Sequence, residues 1–168
     1  MITNDIEYDE HNNKSLNSGI ERIIGSLGAD SQTIQQIIKD DGEDYAIKVK
    51  IWDSTGGERF RNLVISLIQN STQGFILLYD ITDRSTFEDL DKWISLIKNY
   101  KDISQFPIVI VGNKIDLEDK RKVSTEEGRK FALSHNLLFL ETSALTGKGL
   151  KEAFSILINK VYEKNKTT

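Results

Sequence analysis

The stretch of the chain that decides its fold is IVIVGNKID, residues 108–116. Its first four residues form a short continuous apolar run, which is typical of a strand that is covered on both faces. The run ends in polar residues, and in sheets of parallel strands ligands bind beyond the carboxyl ends of the strands. We therefore expect the polar residues Asn113, Lys114 and Asp116 to line a binding site.

Similar runs occur on both sides of this stretch. Residues 75–79 and 137–140 are continuous apolar runs, and residues 46–52 alternate apolar and charged side chains, as a half-buried strand does. The runs are separated by segments in which apolar residues recur at helical spacing. Two of these segments begin with the capping-box pairs Ser85–Glu88 and Ser124–Glu127. Strands that alternate with helices predict an α/β fold, a single three-layer domain with a mostly parallel central sheet flanked by helices.

The first 44 residues carry weaker signals. Four apolar residues between positions 20 and 27 are spaced as on one face of a short helix. Residues 33–38 favour a strand, and Asp40-Asp41-Gly42 predicts a tight turn into the next strand. Residues 2–7 are too polar for a buried strand, so the first strand is expected to be atypical.

The composition of the chain argues against several classes of function. The 168 residues carry a net charge of −4 and a pI of about 5.3, so no nucleic-acid partner is expected. The chain has no cysteine, which excludes a disulfide scaffold, a cysteine nucleophile and a cysteine-linked lipid. No signal peptide, myristoylation motif or membrane span is visible. We expect a cytoplasmic protein with no lipid anchor of its own.

The polar residues after the 108–111 run fit a guanine base. The carboxylate of Asp116 can accept hydrogen bonds from both the ring N–H and the exocyclic amine of guanine, a pair of donors that adenine lacks. The stem of Lys114 can pack along the base, and Asn113 can tie neighbouring loops together. The alternative is an ordinary polar loop between a strand and a helix.

A second polar motif, ETSA at residues 141–144, follows the 137–140 run. The small residues Ser143 and Ala144 let a backbone N–H approach the carbonyl oxygen of guanine. The alternative is a helix start, where threonine and serine are common. Because each motif follows its own apolar strand, the two together predict a guanine site.

A third motif, WDSTGGERF at residues 52–60, suits a phosphate and its metal ion. A carboxylate at Asp53 can hold Mg²⁺ through water, and Gly56 lets a backbone N–H reach a terminal phosphate. The alternative is a glycine-rich turn between a strand and a helix.

Together these motifs resemble the Ras-like small GTPases and, within them, the Rab branch. Residues 48–60 and 78–87 are similar to Rab signatures, and the agreement covers residues 45–164, whereas residues 1–44 diverge. The resemblance implies a small G-protein fold over residues 1–168 and a GTP/GDP switch that uses Mg²⁺. It also implies effector or regulator proteins of the Rab type, a role in vesicle traffic, and recruitment to endomembranes through those partners.

The phosphate loop departs from the family pattern of two glycines followed by lysine and serine or threonine. The best placement puts Lys14 and Ser15 on the last two positions, with Tyr8 and Asn13 in place of the glycines. A tyrosine side chain intrudes where the backbone must turn tightly around phosphate. Lys14 and Ser15 are either phosphate ligands in a degenerate loop or a chance dipeptide in a polar segment.

The resemblance also implies metal and catalytic positions. Ser15, Ser26 and Asp53 fall where the family holds Mg²⁺, and Gly57 stands where the family has the glutamine that orients the attacking water. Without that side chain, hydrolysis is expected to be weak. Two functions stay open: a Rab-like switch with impaired GTP hydrolysis, and a nucleotide-free pseudo-GTPase that serves as a protein-binding scaffold.

Overall fold

The computed structural model describes residues 2–8, 21–23, 29–54, 61–70 and 72–166. The chain divides into two compact units, Met1–Gln73 and Gly74–Thr168. The expectation of a single domain over residues 1–168 stays a prediction.

The described residues of the first unit form a set of strands followed by a helix. These are β1 (Ile2–Tyr8), β2 (Glu21–Ile23), β3 (Ala29–Asp40), β4 (Glu43–Ser54) and α1 (Arg61–Asn70). The pairs β2–β3, β3–β4 and β4–β1 are all antiparallel. Asp41 and Gly42 join β3 to β4 with positive φ angles of 49° and 84°, the backbone that a two-residue hairpin turn requires. The predicted strand and turn before residue 43 are therefore confirmed.

In this unit the strands do not follow the expectation of a mostly parallel sheet. A two-residue turn can join only antiparallel strands, which fixes the direction of β3 against β4. β1 also runs antiparallel to β4, with Ile2 opposite Asp53 and Tyr8 opposite Ile47. Buried parallel strands need nearly continuous apolar sequence, and residues 2–8 lack it. The first strand is thus atypical, as predicted.

The short helix predicted between residues 20 and 27 is wrong. Residues 21–23 form β2 and pair with Ser31 to Thr33 of β3. Their extended backbone is explained by this pairing with the long hairpin, which local spacing of apolar residues does not reveal.

The second unit has the α/β architecture that the sequence predicts. Its strands are β5 (Gly74–Asp80), β6 (Ile108–Asn113) and β7 (Leu138–Glu141). Its α-helices are α2 (Arg84–Glu88), α3 (Leu90–Lys98), α4 (Thr125–Ser134) and α5 (Leu150–Lys166), with 3-10 helices at Ile103–Gln105 and Ile115–Lys120. β5 pairs parallel with β6, and β6 pairs parallel with β7. The α/β fold with a parallel sheet flanked by helices is confirmed in this unit.

The core of the second unit lies around β6, in which Ile108, Val109, Ile110 and Val111 are all buried. Burial of each such side chain contributes about 1.5–3 kcal/mol. Helix α5 packs closely on β5 at Gly74. A Cβ at this position would lie only 2.9 Å from side-chain atoms of both Leu157 and Val161 of α5. No helix within the described residues has the length and apolar character needed to cross a bilayer.

The two predicted helix starts have different outcomes. The capping box of α4 is present, since Ser124 and Glu127 exchange side-chain and backbone hydrogen bonds. The Ser85–Glu88 capping box is wrong. Asp83 caps α2 instead, accepting a 3.1 Å hydrogen bond from the backbone N–H of Ser85. Helix α2 therefore begins at Arg84, one residue before the serine.

The packing of α4 on the sheet yields a test of the core. A Cβ at Gly128 would lie 2.6 Å from a ring carbon of Phe139 and would also collide with the hydroxyl of Tyr79. On an exposed helix Gly→Ala raises stability by about 1 kcal/mol. Here we expect Gly128→Ala to lower the free energy of unfolding by about 1–3 kcal/mol, measured by urea denaturation.

The control for this test removes the hydroxyl. The oxygen of Tyr79 is buried and has no hydrogen-bond partner among the described residues, so Tyr79→Phe alone removes a costly unpaired group and should leave stability unchanged or raise it by up to about 1 kcal/mol. In the Tyr79→Phe background, Gly128→Ala should cost less than in the parent protein. Equal costs in the two backgrounds would show that the hydroxyl does not limit this contact.

Candidate functional site

The parallel strands bring the two predicted guanine motifs to one edge of the sheet. Asp80, Asn113 and Glu141 are the last residues of β5, β6 and β7. Asp80 lies in register with Asn113, and Gly112 lies in register with Glu141. The loops that follow Asn113 and Glu141 therefore lie side by side.

Asn113 joins these two loops. Its side-chain oxygen accepts hydrogen bonds from the Thr142 hydroxyl at 3.2 Å and from the Ala144 backbone N–H at 3.0 Å. Backbone bonds support the junction, from Thr142 N–H to the Gly112 carbonyl at 2.8 Å and from Ile115 N–H to the Thr142 carbonyl at 3.2 Å. Thr142 is fully buried. The link between loops that the sequence suggested for Asn113 is present.

Asp116 is linked to the second motif by Ser143. The Ser143 hydroxyl donates to one carboxylate oxygen of Asp116 at 2.5 Å, and the same hydroxyl accepts from the backbone N–H of Thr146 at 3.1 Å. Ser143 is buried, whereas Asp116 is exposed. An ionised carboxylate has about four acceptor positions. Asp116 is therefore oriented by one hydrogen bond and keeps acceptor capacity for a ligand.

Lys114 has an unusual backbone and a fixed head group. Its φ and ψ are 71° and 36°, in the left-handed region that few non-glycine residues adopt. Its ammonium lies 2.6 Å from a carboxylate oxygen of Asp80. This hydrogen bond and the charge of Asp80 raise the pKa of Lys114 above its ordinary value. The side chain is thus held at both ends.

A partly buried charge network lies next to these loops. The guanidinium of Arg121 contacts Glu141 at 2.7 Å and Glu118 at 2.7 and 2.8 Å, and it donates to the Val123 carbonyl at 3.0 Å. The Thr125 hydroxyl lies 3.1 Å from both oxygens of Glu141. Only 14% of the Arg121 side chain and 17% of the Glu141 side chain are exposed. Arg121 therefore connects the loop after β6 to the end of β7.

Sequence reasoning did not identify Arg121 or Asp80 as parts of this region. Arg121 is twenty positions from Glu141, and nothing in the local pattern distinguishes it from other basic residues. The position of Asp80 at the end of an apolar run was the one available signal, because the same rule had identified Asn113.

Most of the predicted phosphate and metal positions lie outside the described residues. These positions are Lys14, Ser15, Ser26, Gly56 and Gly57. Asp53 is described: it lies near the end of β4, opposite Ile2 of β1, and its side chain is exposed. The predicted metal donors are two hydroxyls and a carboxylate, an all-oxygen set that suits Mg²⁺.

The charge network next to the loops yields a second test. Arg121→Gln leaves Glu141 without its ionic partner in a mostly buried position, so we expect the free energy of unfolding to fall by about 2 kcal/mol. Lys120→Gln removes the same charge from an exposed side chain one position earlier, and should change stability by less than about 0.5 kcal/mol. Thermal and urea denaturation measure both. Similar losses in the two variants would contradict a specific role of Arg121.

Comparison with known proteins identifies the family. The sequence model of the Ras family matches residues 17–163. The chain is 42% identical to the Ras-related protein RABA6b and 41% identical to the Ras-related protein RABA6a, both of Arabidopsis thaliana, over 120 residues in each case. The aligned part is 71% of this chain but 52% and 51% of those proteins, so the chain spans about half the length of these curated relatives. The chain belongs to the Ras family of small GTPases and is Rab-like.

Proposed function

We propose that the protein is a Rab-like switch that binds GTP and GDP and hydrolyses GTP only weakly. The observation that carries this proposal is the oriented and exposed carboxylate of Asp116, held by Ser143 beside the loop that contains Ala144. A carboxylate in this position can accept two N–H groups from the edge of guanine. A base without that donor pair leaves the acceptors unmet, which costs affinity.

The rest of the base site supports the same ligand. Lys114 offers an aliphatic stem for the face of the purine, and Asn113 keeps its loop and the Ala144 loop together. The two loops are joined by side-chain and backbone bonds alike. A site that is already in its binding conformation binds at lower entropic cost.

The phosphates and the metal ion are assigned to the other motifs. In this proposal Lys14 and Ser15 contact the phosphates, and the backbone at Gly56 contacts the terminal phosphate. Ser15, Ser26 and Asp53 hold Mg²⁺, which would neutralise phosphate charge. The family match over residues 17–163 supports the assignment of Ser26, Asp53 and Gly56, and the assignment of Lys14 and Ser15 is supported only by their resemblance to the end of the family's phosphate loop.

Weak hydrolysis is proposed from Gly57. The family orients the attacking water with a glutamine side chain at this position, and a glycine offers no group that can do so. We further propose that the switch acts in vesicle traffic, with effector or regulator proteins of the Rab type. We propose that it is a cytoplasmic protein that reaches endomembranes through those partners.

The second candidate is a nucleotide-free scaffold. It is favoured by the contacts that the base-site side chains make within the protein: Asp116 accepts from Ser143, and Lys114 pairs with Asp80. These contacts need no ligand, so the loops keep their shape without one. The substitutions Tyr8 and Asn13 in the phosphate loop favour the scaffold as well.

The test of nucleotide binding is direct. The purified protein should release GDP or GTP on denaturation, and added GDP with Mg²⁺ should raise its melting temperature. Asp116→Asn should weaken GDP binding by about 100-fold, because two hydrogen bonds to a charged acceptor are lost. Asp119→Asn, an exposed carboxylate of the same 3-10 helix, is the matched control and should bind GDP normally.

Lys14→Ala separates the two candidate functions. A nucleotide-binding protein should lose GDP affinity in this variant, whereas a scaffold has no affinity to lose. Isothermal titration at equal Mg²⁺ concentration measures the difference. The switch is ruled out if the parent protein binds neither GDP nor GTP.

The hydrolysis test restores the missing side chain. Gly57→Gln should raise the single-turnover rate of GTP hydrolysis by roughly tenfold or more, because it supplies an amide that orients water. Gly57→Ala controls for the loss of glycine without supplying the amide, and it should not accelerate the reaction. A parent protein already as fast as the glutamine variant would contradict the assigned role of this position.

A further inference from the structure

Asp80 is the acidic residue that contacts the guanine site without belonging to any of its motifs. Its carboxylate lies 2.6 Å from the ammonium of Lys114. It is the last residue of β5 and lies in register with Asn113, so it occupies the same edge of the sheet as the base site. Asp80 is well covered, with 18% of its side chain exposed, against 51% for Lys114.

Several hydrogen bonds fix the carboxylate and the backbone of Asp80. One oxygen accepts from the backbone N–H of Thr82 at 2.8 Å and from the Thr82 hydroxyl at 2.7 Å. The backbone N–H of Asp80 donates to the Thr86 hydroxyl at 2.9 Å, and Ile81 N–H donates to the Asn113 carbonyl at 3.1 Å. The second carboxylate oxygen is thereby left facing Lys114.

The charge state of Asp80 agrees with this geometry. Burial by itself would raise the pKa of the carboxyl, but the hydrogen bonds from Lys114 and Thr82 outweigh burial and hold the pKa below its usual value. Asp80 is therefore ionised throughout the neutral range, and the ion pair with Lys114 persists there.

This ion pair constrains the four-carbon stem of Lys114. The backbone of Lys114 is set in the left-handed conformation at one end, and its ammonium is anchored at the other. Lysine is otherwise one of the most flexible side chains, and ordering it on binding costs entropy. Because Asp80 orders the stem beforehand, a ligand that packs on it does not bear that cost.

We propose that Asp80 is a positioning residue of the guanine site, which holds Lys114 so that its stem forms a fixed apolar surface for the face of the purine. This inference rests on the proposed nucleotide-binding function. The two carboxylates then have different roles. Asp116 selects the base through hydrogen bonds to its edge. Asp80 raises the affinity for every purine whose edge can bind Asp116.

The sign of the effect distinguishes positioning from simple electrostatics. Nucleoside diphosphates are anions. If charge alone mattered, removal of a negative charge near the site should therefore strengthen their binding. Loss of a positioned Lys114 should weaken it instead. Asp119→Asn removes one negative charge from an exposed position of the 3-10 helix that contains Asp116, and it is the control for loss of charge.

The experiment compares GDP with inosine diphosphate, whose base lacks the exocyclic amine. Asp80→Asn and Asp80→Ala in the full chain should each bind both nucleotides about 5- to 10-fold more weakly by titration calorimetry, with the ratio of the two affinities unchanged. In a Lys114→Met background, the Asp80 substitutions should cause no further loss. Thr82→Val, which removes one of the two hydrogen bonds to that oxygen of Asp80 but keeps the charge, should give a smaller loss.

Several results would overturn the inference. Unchanged or tighter GDP binding by both Asp80 variants would do so, as would an equal loss in the Lys114→Met background. If Asp80→Ala unfolds in a thermal melt, Thr82→Val and Asp80→Asn decide the question. A parent protein that binds neither nucleotide removes the proposed function along with the inference. A parent that binds GDP while the Asp80 variants match it removes the inference alone.

Discussion

Parallel pairing of β5 with β6 and of β6 with β7 is the interaction on which the candidate site depends. Because the three strands run in the same direction, Asp80, Asn113 and Glu141 end at one edge. A shift of one position in either pairing would turn these side chains to the opposite faces of the sheet. The apolar side chains of β6, buried throughout its first four residues, hold that register. The chemistry of the edge therefore depends on the core beneath it.

At this edge, the polar side chains form hydrogen bonds and ion pairs with one another. Asn113 binds the loop after β7, Ser143 orients Asp116, and Asp80 restrains Lys114. Next to them Arg121 links Glu118 to Glu141. Buried or partly buried polar groups are costly when they lack partners. Mutual pairing thus explains how so many polar groups coexist beside an apolar sheet.

Sequence reasoning succeeded where a signal is local. The apolar runs predicted β5, β6 and β7, and the polar residues after β6 and β7 were expected to lie together, as they do, because period and position along the chain suffice for both. The Ser124–Glu127 capping box was found for the same reason. The predicted cap at Ser85 was wrong because the carboxylate of Asp83 accepts the hydrogen bond that caps α2, so the helix begins before the serine.

What the sequence did not reveal depends on contacts between distant residues. Arg121 with Glu141, and Asp80 with Lys114, become neighbours only when the strands pair. The direction of β1 is likewise a property of its partner β4 and of a polar sequence that suits an antiparallel neighbour. No period along the chain encodes these contacts. The phosphate positions Lys14 and Ser15 remain predictions from the family pattern.

The hairpin of β3 and β4 has a consequence for the order in which the molecule folds. Its two strands are joined by the turn at Asp41 and Gly42, so it can close locally, on a timescale of about 1–10 μs. The parallel pairs join residues about thirty positions apart, such as Phe75 with Ile108, and can form only after the intervening helices cross over. The edge that carries Asp80, Asn113 and Ser143 is therefore completed late. A ligand of that edge would act on the last steps of folding, slowing unfolding without accelerating the formation of the hairpin.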